Sequence, residues 1–375
     1  MTSRQRVRNA IEHKPVDRMP IDFGVHFSTG ISVFAYQNLR EYLGLSTDKI
    51  ELIDTNQCLA RVDEDILDRF HVDTILLNPN WEKTKVWNPR GKYKFLVPEN
   101  FNAQLQPNGA YKVELDGKVM HMPEGGFFFD GDWLNFAGYN QEQMLDAFAK
   151  RAEKIHKETE RFTMLMGFGS FFDGIEQACD MLMDPEGVMA MNEKKLAGQI
   201  EYFNTVNAKM GKYIDSIEVN GDLGTQLNLM CTPDSYEQTV YPYLKRFCQY
   251  VHENSDIKIF MHSCGAINLA LPYIVDAGVD AINPVQISAN DMDPKMLKEK
   301  YGKDICFWGG GCDTQTVLWK ESPEFVRKHS EELIKIFAKD SGFVFNQVHN
   351  IMGDVPPENI VALYDSAYEN SKKYL

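Results

Sequence analysis

At 375 residues, 43% hydrophobic and 25% charged, the chain has the make-up of an ordinary soluble globular protein, long enough for one large α/β domain or two smaller ones. Its net charge of -15 excludes nucleic acid and anionic membrane as expected partners, because both require a basic patch. The seven cysteines are odd in number and scattered, which excludes a secreted disulfide framework and predicts a reducing, cytoplasmic setting. The opening MTSRQRVRNAIEHKP has no apolar signal core, and no run of eighteen apolar residues predicts a membrane span.

Short apolar, β-rich runs recur along the chain, each followed by a helical pattern. In order they are Met19 to Phe23, Thr74 to Asn78, Thr163 to Phe168, Ser216 to Asn220, Lys258 to His262, Ala281 to Val285, Ile305 to Trp308 and Phe343 to Val348. Amphipathic stretches lie between them, over 31–43, 186–210, 236–252 and 325–338, with a last helix after Pro356-Pro357. Eight strands alternating with helices predict an α/β fold, a single distorted (β/α)8 TIM barrel over 1–375, rather than a doubly wound sheet. The absence of G-x-G-x-x-G behind Asp22-Phe23-Gly24 argues the same way. One segment breaks the rhythm. Between about 81 and 135 the turn signals NPRGKY, QPNGAY and ELDGKV separate short alternating runs, which predicts a β-hairpin insertion after strand two. Its glycine-loosened aromatic end, 123–130, reads either as a cap packed on the barrel or as a lid over its mouth.

A barrel carries its site at the C-terminal strand ends, so the residues there are the candidates. The fifth run ends in His262-Ser263-Cys264, and alternation on a strand puts His262 and Cys264 on one face, as two ligands for zinc. His349, after the eighth run, is the expected third ligand, and Glu218, after the fourth, a carboxylate ligand at an exchangeable position or a general base. Cys312 competes as a ligand but reads better as a small apolar residue in a glycine turn. Gly309, Gly310, Asp313 and Gln315 form a strand-seven turn that either approaches a bulky cofactor or only caps the next helix. Asp222, in Asp222-Leu223-Gly224-Thr225-Gln226, lies beside Glu218 as a second catalytic carboxylate or a turn residue. The aromatics Trp133, Phe168, Phe171 and Trp308 are candidates for a pocket wall.

HSCGAI (262–267), DAGVDAINPVQ (276–286), FWGGGCDTQ (307–315) and VHNIMGDVPPENI (348–360), together with the opening RVRNAIEHKPVDRMPIDFG, resemble the uroporphyrinogen decarboxylase superfamily over nearly the whole chain. That resemblance implies a distorted (β/α)8 barrel and one of two chemistries: cofactor-free decarboxylation of uroporphyrinogen, or zinc-dependent methyl transfer to or from a corrinoid protein. Where the decarboxylases carry an arginine-rich loop after strand one, this chain has Gly24-Val25-His26-Phe27-Ser28-Thr29, without the cations that a polycarboxylate needs. The methyltransferases carry H-x-C on strand five, matched by His262 and Cys264, and a strand-eight Cys whose place His349 takes, nine residues before Glu358. The expectation is therefore a methyltransferase that moves methyl between a small O-, N- or S-methylated substrate and the cobalt of a separate corrinoid (cobalamin) protein, with a homo-oligomer as an open option. The alternatives are a decarboxylase that uses Asp22 or Asp222 to hold pyrrole N–H groups and a non-catalytic tetrapyrrole-binding protein.

Overall fold

The computed structural model describes residues 1–136 and 140–375. Its centre is a curled, seven-stranded, all-parallel sheet, with strands in the order Phe343–Val344, Cys306–Trp308, Ala281–Asn283, Lys258–His262, Ser216–Asn220, Phe162–Phe168 and Thr74–Leu76. Each falls on one of the apolar runs: Ser216–Asn220 and Lys258–His262 match theirs in full, Phe162–Phe168 begins one residue earlier, and the other four are shorter; helices lie between them, as in a TIM-like fold.

The first run differs from its expected strand: Met19 to Phe23 makes one isolated parallel bridge, Ile21 to Phe345. The segment nonetheless sits between the two edge strands, since the Asp22 N–H donates to Phe345 O (2.9 Å) and the Asp73 N–H to Ile21 O (2.8 Å). Two features cut it short. Pro20 has no N–H to offer a ladder, and the Asp22 carboxylate takes the Val25 N–H (3.1 Å), the Thr74 hydroxyl (2.6 Å) and the Trp308 indole N–H (2.8 Å), which turns the chain.

Strand alternation builds the interior in layers. Phe162, Met164, Phe260, Ala281, Cys306, Trp308 and Val344 form a buried cluster with Val7, Ala10 and Ile11 of the N-terminal helix Ser3–Ile11. That helix is tied down by Asp73, fully buried between Arg6 (2.6 Å) and Arg18 (2.7 Å). Two residues further along the same strand faces, His262 follows Phe260 and Asn283 follows Ala281, so a polar layer rests on the apolar one.

The helices follow their caps. Asn140 and Gln143 make a capping box for Gln141–Glu158. Asp184 accepts from the Gly187 N–H (3.0 Å) at the start of Pro185–Met210. The stretch expected as one helix over 236–252 is two, Pro233–Thr239 and Tyr241–Asn254, because Pro242 removes the N–H that would carry the first into the second.

Within 81–135, Thr84–Trp87 pairs antiparallel with Phe95–Pro98, and Gln104–Leu105, Tyr111–Leu115, Lys118–Met122 and Asp130–Gly131 form an antiparallel meander. Phe95–Pro98 also pairs parallel with Ile50–Asp54, a strand absent from the expected list. Its IELID alternates poorly because four of its five residues are buried. Phe34, of helix Val33–Tyr42, meets Tyr93, Phe95 and Phe127 edge-on at 5.0, 5.2 and 5.4 Å between ring centroids and joins the two regions. Among the described residues, no helix is long and apolar enough to cross a membrane.

Candidate metal centre

His262 is the last residue of its strand, and the chain turns immediately after it. The turn is possible because two loops cross almost backbone to backbone: a Cβ on Gly265 would stand 2.5 Å from Gly224 C, and one on Gly224 2.6 Å from Cys264 O. Four hydrogen bonds seal the crossing. The Cys264 N–H donates to Asp222 Oδ1 (2.9 Å), the Leu223 N–H to Ser263 Oγ (3.1 Å), the Ala266 N–H to Thr225 O (2.8 Å) and the Gly265 N–H to Gln286 Oε1 (2.9 Å). The segment 222–226 thus serves to aim the Cys264 loop.

As aimed, Cys264 Sγ lies 3.4 Å from His262 Nε2. His349 completes a group of three whose ligand atoms all lie within 4.8 Å of one another, and among the described residues no other His/Cys/Asp/Glu group of three or more meets that condition. His349 reaches the group through a left-handed backbone, φ 61°, a conformation of about 1–2 kcal/mol cost that persists at functional sites when the surroundings enforce it.

The donor set suits a soft or borderline cation. His262 Nδ1 is 2.8 Å from Asn283 Oδ1, and His349 Nδ1 is 2.8 Å from Asn350 Oδ1. An amide oxygen only accepts, so both imidazoles carry their proton on Nδ1 and turn the Nε2 lone pair outward. Burial lowers the pKa of both histidines, assisted at His262 by the neighbouring His26, which keeps them in the neutral form that binds metal. Burial and the Asp222 carboxylate push the Cys264 thiol well up. A cation beside the sulfur would reverse that shift and stabilise the thiolate.

Glu218 stands outside the trio. Its Oε2 accepts from the Gly167 N–H (2.9 Å), and its Oε1 lies 3.5 Å from His26 Nε2. Burial opposes its charge, but the His26 contact, the Gly167 N–H and His262 outweigh that and hold the carboxyl below its usual range. Asp222 Oδ1 lies 3.6 Å from His262 Nε2. A cavity of about 500 Å³ brings these groups together, lined by His26, Ser28, Gln57, Trp133, Glu218, Asp222, His262 and His349, with no Lys or Arg among the described lining residues. A second, largely apolar cleft of about 600 Å³ opens on the other side of His349, against Phe127, Phe128, Trp319 and Met352.

The strand-seven turn divides. Gln315 lines the apolar cleft, where its Oε1 accepts from Ser288 Oγ (3.0 Å). Gly309 and Gly310 are instead packing positions: a Cβ on Gly309 would stand 2.3 Å from Pro284 O, and one on Gly310 3.3 Å from Phe337 and Val285. Asp313 caps its own turn, accepting from the Gln315 N–H (2.7 Å) and the Thr316 hydroxyl (2.6 Å). Cys312 is fully buried with its Sγ near Asp313 O, as a packing residue would be. Of the four aromatics, Trp133 lines the cavity and Phe168 a depression that continues from it, whereas Phe171 and Trp308 are core. Asp22 has no exposed surface and spends its carboxylate on Thr74, Val25 and Trp308, so it holds the floor and reaches no ligand. His26 and Asn350 were legible as polar residues at the strand ends but carried no assigned role, whereas Ser28 and Gln57 were not anticipated; the His-x-Ser at 26–28, just past a strand-like run, was a signal for Ser28.

Known proteins agree with this arrangement at the level of family and fold. The sequence model described as "Uroporphyrinogen decarboxylase (URO-D)" matches residues 163–370. A protein named "Uroporphyrinogen decarboxylase" from Chlorobium phaeobacteroides is 29% identical over 373 residues, covering 97% of each chain, and one from Chlorobium phaeovibrioides is 28% identical over 375 residues with the same coverage. Among solved structures, a chain described as "methyltransferase from Methanosarcina mazei" superposes with a TM-score of 0.58 at 14% identity, covering 98% of this chain and 99% of that one, a likeness of fold alone. With more than half of its length matched by the family's sequence model, the chain belongs to the uroporphyrinogen decarboxylase (URO-D) family.

Proposed function

We propose that the protein is a zinc-dependent methyltransferase that passes methyl between a small methylated substrate and the corrinoid of a separate protein. The observation that carries the proposal is the convergence of Cys264, His262 and His349 within 4.8 Å, with both imidazoles oriented by asparagine oxygens. Such a set fits zinc, three protein ligands leaving a position for substrate. Zinc held there supplies a Lewis acid that lowers the pKa of a substrate thiol or polarises a methoxy oxygen.

The remaining work belongs to the chain. Asp222 holds the Cys264 loop through its backbone N–H. Glu218, charged and facing the cavity, takes the proton that a methyl-accepting thiol gives up, and returns it in the reverse direction. His26 keeps that carboxylate in place. The apolar cleft at His349 offers room for the body of the substrate. On the same reading, Pro20–Asp22 is the eighth stave of a distorted (β/α)8 barrel, and 81–135 is an insertion whose aromatic end, Phe127 and Phe128, roofs the cleft.

A decarboxylase reading is favoured by the names of the two full-length relatives. Against it stand the lack of Lys or Arg among the described residues lining the cavity and the commitment of Asp22 to the floor, since a polycarboxylate needs cationic partners. Metal analysis of the purified protein separates the two. About one zinc per chain, with a spectral change of a corrinoid protein on mixing with methyl donor, is expected for the methyltransferase. A zinc content far below one that added zinc does not restore would overturn it.

A further inference from the structure

Behind the trio, the polar layer is connected. Asn283 ends its strand fully buried, and its Nδ2 donates to Trp308 O (2.9 Å). A carbonyl cannot donate, so this bond decides which way the amide points and turns Oδ1 toward His262. Oδ1 lies 2.8 Å from His262 Nδ1 and 2.7 Å from Ser28 Oγ. Ser28 in turn touches His26: its N–H donates to His26 Nδ1 (3.1 Å), and its Oγ is 2.7 Å from the same nitrogen. The Ser28 hydroxyl donates to Asn283 Oδ1, and on the other side of the ring His26 Nε2 faces Glu218 Oε1 at 3.5 Å. The imidazoles of His26 and His262 stack with centroids 5.4 Å apart.

We infer that Asn283 and Ser28 are positioning residues of the metal centre: the Asn283 amide, oriented by Trp308 O and shared with Ser28, fixes the proton and ring of His262 and, through His26, ties them to Glu218. The inference rests on the zinc reading of the site. Its physical basis is that a ligating imidazole gains basicity and a defined orientation from the acceptor on its other nitrogen, and that loss of such an acceptor costs about 10–100-fold in metal affinity.

Two substitutions at Asn283 separate positioning from packing. Asn283→Leu removes the acceptor for His262 and the donor to Trp308 O. Asn283→Asp removes the donor but keeps an oxygen before His262 Nδ1. Zinc affinity of the purified full chain is measured by competition with a chromophoric chelator, and Tm in parallel. Both variants lose the bond to Trp308 O, so both are expected to show a lowered Tm, but Asn283→Leu binds zinc about 10–100-fold more weakly while Asn283→Asp stays within about threefold of wild type. A merely structural asparagine would move affinity in step with Tm. Asn283→Leu within threefold of wild type, or Asn283→Asp as weak as Asn283→Leu, overturns the inference. Should Asn283→Leu not fold, Ser28→Ala decides: an affinity about fivefold lower, the worth of one net hydrogen bond, supports the inference, and an unchanged affinity overturns it. A wild-type protein that binds no zinc brings down the inference and the methyltransferase reading together, whereas wild-type zinc binding unmoved by Asn283→Leu brings down the inference alone.

Discussion

Cys264 Sγ lies 3.4 Å from His262 Nε2, although the strand that carries His262 has already ended. The cysteine is aimed by the crossing of its loop with 222–226, so its side chain contributes little to holding the backbone there. Cys264→Ser is therefore expected to fold normally by circular dichroism and to retain much less than one zinc per chain after dialysis, since an alcohol is a far poorer ligand than a thiolate. Full zinc retention by the variant would remove Cys264 from the ligand set.

Glu218 divides two roles that share a carboxylate. Its Oε1 faces His26 and its Oε2 takes the Gly167 N–H, and the proposed mechanism uses it as a base and not as a ligand. Glu218→Gln should keep the wild-type zinc content and lower kcat for methyl transfer by about 10²–10⁴. Loss of zinc from this variant would put the carboxylate on the metal instead.

His13 offers a stability test away from the site. Burial, with the charge of Lys298 added, lowers its pKa below the ordinary 6.5, and its Nδ1 is buried without a partner. In the unfolded chain the imidazole gains a proton near pH 6.5, which the folded chain refuses until the pH is lower. The stability it contributes is complete above about pH 6.5 and is lost as pH falls through the lowered folded value. His13→Asn, which suits the φ of 54° at this position, does not titrate. The difference in unfolding free energy, wild type minus variant, should be smaller at pH 5 than at pH 7.5 in urea melts. An equal difference at the two pH values would contradict the assignment.

Phe34 is a packing hub with no exposed surface, set edge-on against Tyr93, Phe95 and Phe127. Phe34→Ala removes a whole ring from a site walled by rigid aromatics that cannot collapse, for an expected loss of about 3–5 kcal/mol. Urea denaturation followed by tryptophan fluorescence reads it directly through Trp87, whose ring lies 6.4 Å away. A loss under about 1 kcal/mol would mean that the aromatic cluster repacks.

Much of the architecture was legible in the residues because its causes are local. Apolar runs, alternation and caps depend on near neighbours in the chain, so seven of the expected runs became the seven parallel strands of the sheet. The pairing of His262 with Cys264 was legible too, but for a partly different reason: strand alternation was expected to align them, whereas the glycine crossing at 224 and 265 does so. Pro20 and Pro242 show the limit even of local reading, since each lies in a run with the right periodicity and breaks it by lacking one N–H.

What the sequence by itself determined is the period of the elements, the polar ends of the strands and the presence of ligand-type side chains there. Curling of the sheet decided which of them meet. Ser28 and Asn283, 255 residues apart in the chain, share a hydrogen bond because the sheet returns on itself. Glu218 faces His26, and Gly309 packs on Pro284 with no room for a cofactor between them. These outcomes depend on distances across the mouth of the curled sheet, set by the packing of whole layers, and no pattern among near neighbours encodes them.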